Sequence, residues 1–453
     1  MLESEQPRDG ELGVAPLTRA ERVHNAASIL HPTAVLRHLR TPLYANAYYL
    51  MANTGFLSLS GLLFWAIAAR VYNASDVGIG SALIAASTLL ASISGLDLGT
   101  GLIRFLPSSK QPWSLIATCV AVALAMSVVL GILFVSGVSL WSPDLAFIAR
   151  DPLLLVAFVL FTAGSTVSAL LDNLFVALRR ASLTMLKNLF IGFGRIPFLV
   201  FLVVPAGAFG VFGSIGLATL PTVAVALWWV RHSVDTPQGE PAWLRREAVA
   251  TLMPYSLANY VAGLVYRAPA LLLPLIVLRQ LGPEANASFY VSWMLGGLLC
   301  VIPNAICQSL FAEGSRFERD LRDDVIKAVK VSLYLLVPVV AGAFLLADKL
   351  LLLFGAAYAQ EGAVLLRILA LAALPILVIT AYLTVKRVER QMTPIITLSA
   401  LIAVGTLALS YGLMPRLGVE ATAVGWLVSQ AVAATLVVLS LLRHRWQSRR
   451  CSN

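Results

Sequence analysis

Charged residues are scarce in this sequence. They make up 12% of the chain, where a soluble domain carries about 25%. Over 453 residues that shortage excludes a water-soluble protein, because there is too little charge to cover so large a surface. Cysteine is rare as well. Cys119, Cys300 and Cys307 lie inside apolar runs and Cys451 lies in the tail, a pattern too sparse and scattered for a disulfide framework. The final C-S-N does not match a prenylation signal. Residues 1–40 hold no long apolar run, so no signal peptide is expected and the first apolar segment is read as a true span. Long polar segments are missing too. The longest connections, 231–250 and 312–327, are short and charged, which leaves no room for a soluble catalytic domain.

What is present is hydrophobic. Apolar residues make up 59% of the chain and its mean hydropathy is +0.84, so the expected fold class is an all-α polytopic membrane protein. Stretches of about 20 apolar residues are needed to cross a bilayer as helix. Twelve are found: 45–70, 78–97, 113–138, 153–177, 183–204, 209–230, 252–277, 287–311, 328–347, 362–384, 393–413 and 419–441.

The net charge of +10 and pI of about 9.7 do not point to nucleic acid. Of the 33 Lys and Arg residues, 25 fall in the N-terminal tail, the loops after even-numbered spans and the C-terminus. These include Arg104, Arg179, Arg180, Lys187, Arg231 and Arg387. Only Arg70, Arg150, Arg279, Lys349 and Arg416 fall on the other side. Basic residues accumulate on the cytoplasmic face of membrane proteins, so both termini are expected in the cytoplasm and the protein in the inner (plasma) membrane. The sequons at Asn73 and Asn286 fall in outward loops almost at the membrane surface and are read as coincidental.

The chain contains a repeat. Ala69-Arg-Val-Tyr-Asn-Ala-Ser-Asp-Val-Gly78 and Leu278-Arg-Gln-Leu-Gly-Pro-Glu-Ala-Asn-Ala287 each close an odd-numbered span and open the next. Both have an arginine at the membrane edge, an acid and small residues at the new helix start. The expected organisation is a tail (1–42), an N-lobe of six spans (43–231), a linker (232–250), a C-lobe of six spans (251–442) and a basic tail (443–453). Each half has an even number of spans, so the repeats are parallel, an arrangement known in transporters. Residues 18–38 have the makings of a surface helix with no partner that can be named.

The stretch ARVYNASDVGIGSALIAASTLLASISGLDLGTGLIRFLPS resembles the N-terminal signature of polysaccharide-type flippases of the MOP exporter superfamily. The segment from Pro254 to Ser315 is similar to that family's seventh and eighth spans, and the resemblance covers the chain from about Leu43. One departure is Asn286, where the family usually has glycine. The resemblance implies a MATE-like fold with a central cavity between lobes. It also implies transfer of a lipid-linked oligosaccharide, a polyprenyl phosphate or diphosphate sugar, to the outer leaflet for cell-surface polysaccharide (lipopolysaccharide-type) synthesis. Other polysaccharide-assembly proteins would be its partners.

Three cations lie inside spans: Arg195, Arg267 and Arg367. A charge at bilayer depth costs about 2.5–3.5 kcal/mol on insertion scales and marks a candidate functional site. Guanidinium suits phosphate, since it stays protonated and presents a planar fork of donors. These three are therefore candidate substrate contacts, with Arg195 and Arg267 expected mid-way along their spans and Arg367 in the outer third of its own. Asn259, Tyr260, Tyr266, Asn304 and Gln308 are candidate partners for sugar hydroxyls, or else join helix to helix. Arg104 is a candidate head-group contact at the cytoplasmic mouth, and Asp97 and Asp172 are candidate charge partners for the arginines. No metal, cofactor or enzymatic activity is expected. Competing readings are a Na⁺- or H⁺-coupled multidrug exporter, which should carry free carboxylates deep in its N-lobe, a membrane glycosyltransferase or polymerase, and a non-transporting scaffold.

Overall fold

The computed structural model describes residues 42–109, 111–234, 246–301, 303–304, 321–389 and 391–450. The expected surface helix over 18–38 lies outside them. In chain order the main helices are α1 (Pro42–Val71), α2 (Ala74–Gly95), α3 (Leu98–Phe105), α4 (Pro112–Trp141), α5 (Pro152–Ala177), α6 (Ala181–Phe201) and α7 (Ala208–Ser233). They continue with α8 (Arg246–Leu281), α9 (Pro283–Leu299), α10 (Leu321–Leu345), α11 (Ala347–Leu351), α12 (Ala356–Val388), α13 (Met392–Leu417) and α14 (Glu420–Arg450). Among the described residues, eleven helices are long and apolar enough to cross a membrane. The expected eighth span begins as α9, four residues earlier than its apolar run, and its continuation past Asn304 lies outside the described residues.

Local chemistry sets the helix starts. Proline opens α4, α5 and α9, where its missing N–H costs nothing. Asn73 and Asp151 cap α2 and α5 by accepting from the backbone N–H of Asp76 (2.7 Å) and Leu153 (2.8 Å). The second span does not run on through residue 97 as one rod. Leu96 and Asp97 are both left-handed, with φ of 44° and 50°, and they divide α2 from α3.

Packing repeats between the halves. Within the first half α1 packs on α6, α2 and α4 pack on α5, and α7 packs on both α5 and α6. Within the second, the same partnerships join α8 to α13, α9 and α10 to α12, and α14 to both α12 and α13. The architecture is thus two matching six-helix lobes.

The lobes meet along α2, which packs on α8 and α9. Small residues make the approach close, as membrane helices require when lipid supplies no hydrophobic drive. A Cβ added at Gly78 would overlap the Pro283 carbonyl of the second lobe. Asn286 is fully buried and donates through Nδ2 to the Gly78 carbonyl (2.8 Å) and to Ser81 Oγ (3.0 Å). The two copies of the repeat motif therefore touch each other across the seam. Asn286 lies in the first turns of α9, not in a loop. An apolar cluster with Phe64, Trp65, Tyr72, Val77, Ala287, Val291, Leu351 and Phe354 surrounds this clasp, and Arg70 Nε donates to the Leu353 carbonyl beside it (2.9 Å).

Candidate functional site

Arg195 projects from α6 six residues before its end at Phe201. At 1.5 Å per residue it lies about 9 Å from that end. Its Nη2 donates to Ser60 Oγ of α1 (3.2 Å), and its guanidinium lies 4.7 Å from the centre of the Phe64 ring. Gly192, one turn earlier, lets α6 approach Phe56 and Ser60 closely enough for that reach. Phe64 packs edge-on against Trp65, and Trp65 meets Tyr290 of the second lobe at a ring separation of 4.6 Å. Tyr290 lies within electrostatic range of Arg195. The cation is thus carried by the first lobe and held where that lobe meets the second. It makes no ion pair with any described residue, and its Nε is buried without a hydrogen-bond partner.

The seventh span forms within the longer helix α8, and Arg267 lies fourteen residues before its end at Leu281, about 21 Å along the helix. Arg267 is exposed and makes no hydrogen bond or ion pair with a described residue.

With α3 packed on α8, Asp97 is near enough to Arg267 for the arginine's field to act on its carboxylate. The Thr100 hydroxyl donates to Asp97 Oδ1 at 2.9 Å. Tyr266 beside Arg267 is also within electrostatic range of Arg387, at the basic end of α12. Sequence reading had counted Arg387 as loop charge, and nothing in its own neighbourhood linked it to α8.

The remaining candidates divide. Arg367 is tied to Asp348 (2.6 Å) and to the Phe344 carbonyl (3.3 Å), and so has a protein partner. Asp172 meets no arginine. It pairs at 3.0 Å with Lys187, whose ammonium also donates to the Ser168 carbonyl (3.0 Å) and hydroxyl (2.6 Å). Lys187 had been counted as a loop cation. α6 begins at Ala181, so Lys187 falls in its second turn and is buried. One residue on, Asn188 donates to Asn53 Oδ1 (2.9 Å). Asn53, Ser60, Asn188 and Arg195 form a polar line between α1 and α6. Its signal in the sequence was the spacing of Lys187, Asn188 and Arg195 at helical intervals. Tyr260 is half-buried, Tyr266 and Asn304 are exposed, and Arg104 is exposed at the end of α3 beside the Phe105 ring. The side chains of Asn259 and Gln308 lie outside the described residues. Among the described residues no cluster of His, Cys, Asp or Glu could hold a metal ion.

Comparison with solved structures places this geometry. The chain superposes on the lipid II flippase MurJ in an inward closed conformation with a TM-score of 0.74, at 9% identity over 86% of this chain and 87% of that one. The two chains share a fold. A multidrug resistance MATE family transporter of the MOP superfamily, inward-facing, matches with a TM-score of 0.65 at 17% identity over 92% of this chain and 97% of that one. A MOP superfamily transporter from Pyrococcus furiosus, described as having a binding pocket of reverse polarity, matches at 0.61 and 17% identity over 91% and 96%. No protein-family model and no curated protein matches the chain, and at these identities the shared property is the MOP fold alone.

Proposed function

We propose that this protein moves an anionic, lipid-linked oligosaccharide across the inner membrane, from the cytoplasmic to the outer leaflet, by rocking of its two lobes. The observation that carries the reading is Arg195: a guanidinium at the lobe seam, inside a membrane-spanning helix, with no acid to neutralise it among the described residues. A structural arginine at such depth would be paired, because an unpaired charge is costly there. Arg195 instead suits a phosphate that arrives and leaves. Arg267, exposed on α8 and likewise without an ion pair to a described residue, supplies a second station. The basic face is the cytoplasmic one. A cytoplasm-negative potential then favours outward passage of negative charge by about 2.3 kcal/mol per charge per 100 mV.

The MOP fold also serves multidrug export in its relatives. A cation-coupled exporter needs a free acid deep in its first lobe; Asp172 is held by Lys187, and Asp97 lies at the break between α2 and α3, bonded to the Thr100 hydroxyl and within the field of Arg267. The test is transbilayer movement of lipid-linked oligosaccharide diphosphates in proteoliposomes. Arg195→Ala should lower the rate at least about 100-fold, since two charge-assisted hydrogen bonds to phosphate are worth about 3 kcal/mol or more. Arg367→Ala, which removes only an exposed pair with Asp348, should leave it within about fivefold. Normal movement in folded Arg195→Ala would remove the proposal.

A further inference from the structure

The basic end of the first lobe carries an apolar groove that the transport reading does not use. It has a volume of about 320 Å³ and is lined by Phe175 of α5, by Leu183, Leu186 and Phe190 of α6, and by Val225, Ala226 and Trp229 of α7. Leu186, Phe190 and Val225 are exposed on the outer surface of the lobe, away from the seam with α8 and α9. Along α6, Ala181 to Phe190 spans about 14 Å, close to the depth of one leaflet.

The mouth of this groove is positive. The Arg180 guanidinium lies 5.1 Å from the Trp229 ring centre, and Trp229 packs edge-on against Phe175. Arg231, two residues along α7, lies over the Trp113 ring at 4.9 Å. Arg179 is exposed in the three-residue turn between α5 and α6 and adopts φ of 57°. That left-handed conformation strains any residue but glycine, yet an arginine is kept there. The turn is closed by the Arg179 and Arg180 amides donating to the Val176 and Phe175 carbonyls (2.9 and 2.8 Å), which directs both side chains from one tight corner. Between 111 and 234 the acids are Asp144, Asp151 and Asp172. The first two lie at the opposite end of the helices, and the third is paired with Lys187.

We infer that this groove holds an anionic phospholipid of the surrounding leaflet, with its head-group phosphate at Arg179 and Arg180 and an acyl chain along Phe175, Leu186, Phe190 and Val225. The charge complementarity, the aromatic ring beneath the guanidinium and the one-leaflet depth fit that occupant together. A zwitterionic lipid would bring a cation to the same arginines. The site does not depend on which substrate the seam carries.

The test is native mass spectrometry of the full chain released from nanodiscs containing equal phosphatidylglycerol and phosphatidylcholine. The wild type should retain phosphatidylglycerol in preference by on the order of tenfold, from two arginines near the membrane surface. The double variant R179Q/R180Q should bring that preference near unity, and Ala226→Phe, which fills the groove, should lower retention of both lipids. Equal retention by the wild type overturns the assignment. So does an unchanged preference in R179Q/R180Q. Should that variant fail to fold, unchanged retention in Ala226→Phe overturns it as well.

Discussion

Replacing Gly78 by alanine should open the seam between the lobes. The added methyl would overlap the Pro283 carbonyl, and because backbone on both sides belongs to helices, neither can yield by changing a rotamer. Relief requires the lobes to part by more than an ångström at this end. That movement breaks the two hydrogen bonds from Asn286, at 2.8 and 3.0 Å, worth about 1 kcal/mol each. Overpacking adds about 1–3 kcal/mol. The closed arrangement then loses about 3–5 kcal/mol relative to an open one, a shift of at least about 100-fold in their ratio. Asn286→Ala, which removes the hydrogen bonds without the clash, should shift it by about tenfold to thirtyfold. The reporter is a cysteine at Ala287, fully buried here, in a chain whose native cysteines have been replaced. Its reaction with a membrane-impermeant maleimide in proteoliposomes should accelerate by those factors. Folded Gly78→Ala protein that labels at the wild-type rate would show that the clasp does not hold the lobes together.

Lys187→Met should lower stability by about 3 kcal/mol, at the lower end for breaking a buried pair because Asp172 is 37% exposed. The double variant Lys187→Met/Asp172→Leu should recover most of it. Thermal unfolding in detergent, followed by tryptophan fluorescence, reads both, and a double variant as unstable as the single one would contradict the account.

The fold class was legible because composition and span length act on the whole chain and need no detail. The lobe seam was half legible. The repeat motifs marked where α2 and α9 begin, but that they touch each other depends on helix rotation, which hydropathy does not encode when both faces are apolar. The arginines were found because a charge in an oil-like run is conspicuous. Lys187 was misplaced by the reverse effect. A basic residue near a span end looks like a surface anchor, and only Asp172 and Ser168, brought up from the preceding helix, make its burial possible. Asn286 read as a departure from a glycine pattern and proved to be the donor that bridges the lobes.

That bridge ties the history of one half to the other. Duplicated segments ordinarily drift apart once each has its own surroundings, yet here each copy forms the wall against which the other rests. A bulkier residue at 78 can be accommodated only by a change near 283 or 286. Second-site suppressors of a damaged Gly78 should therefore map some two hundred residues away, in the sister motif and not in the neighbouring turns.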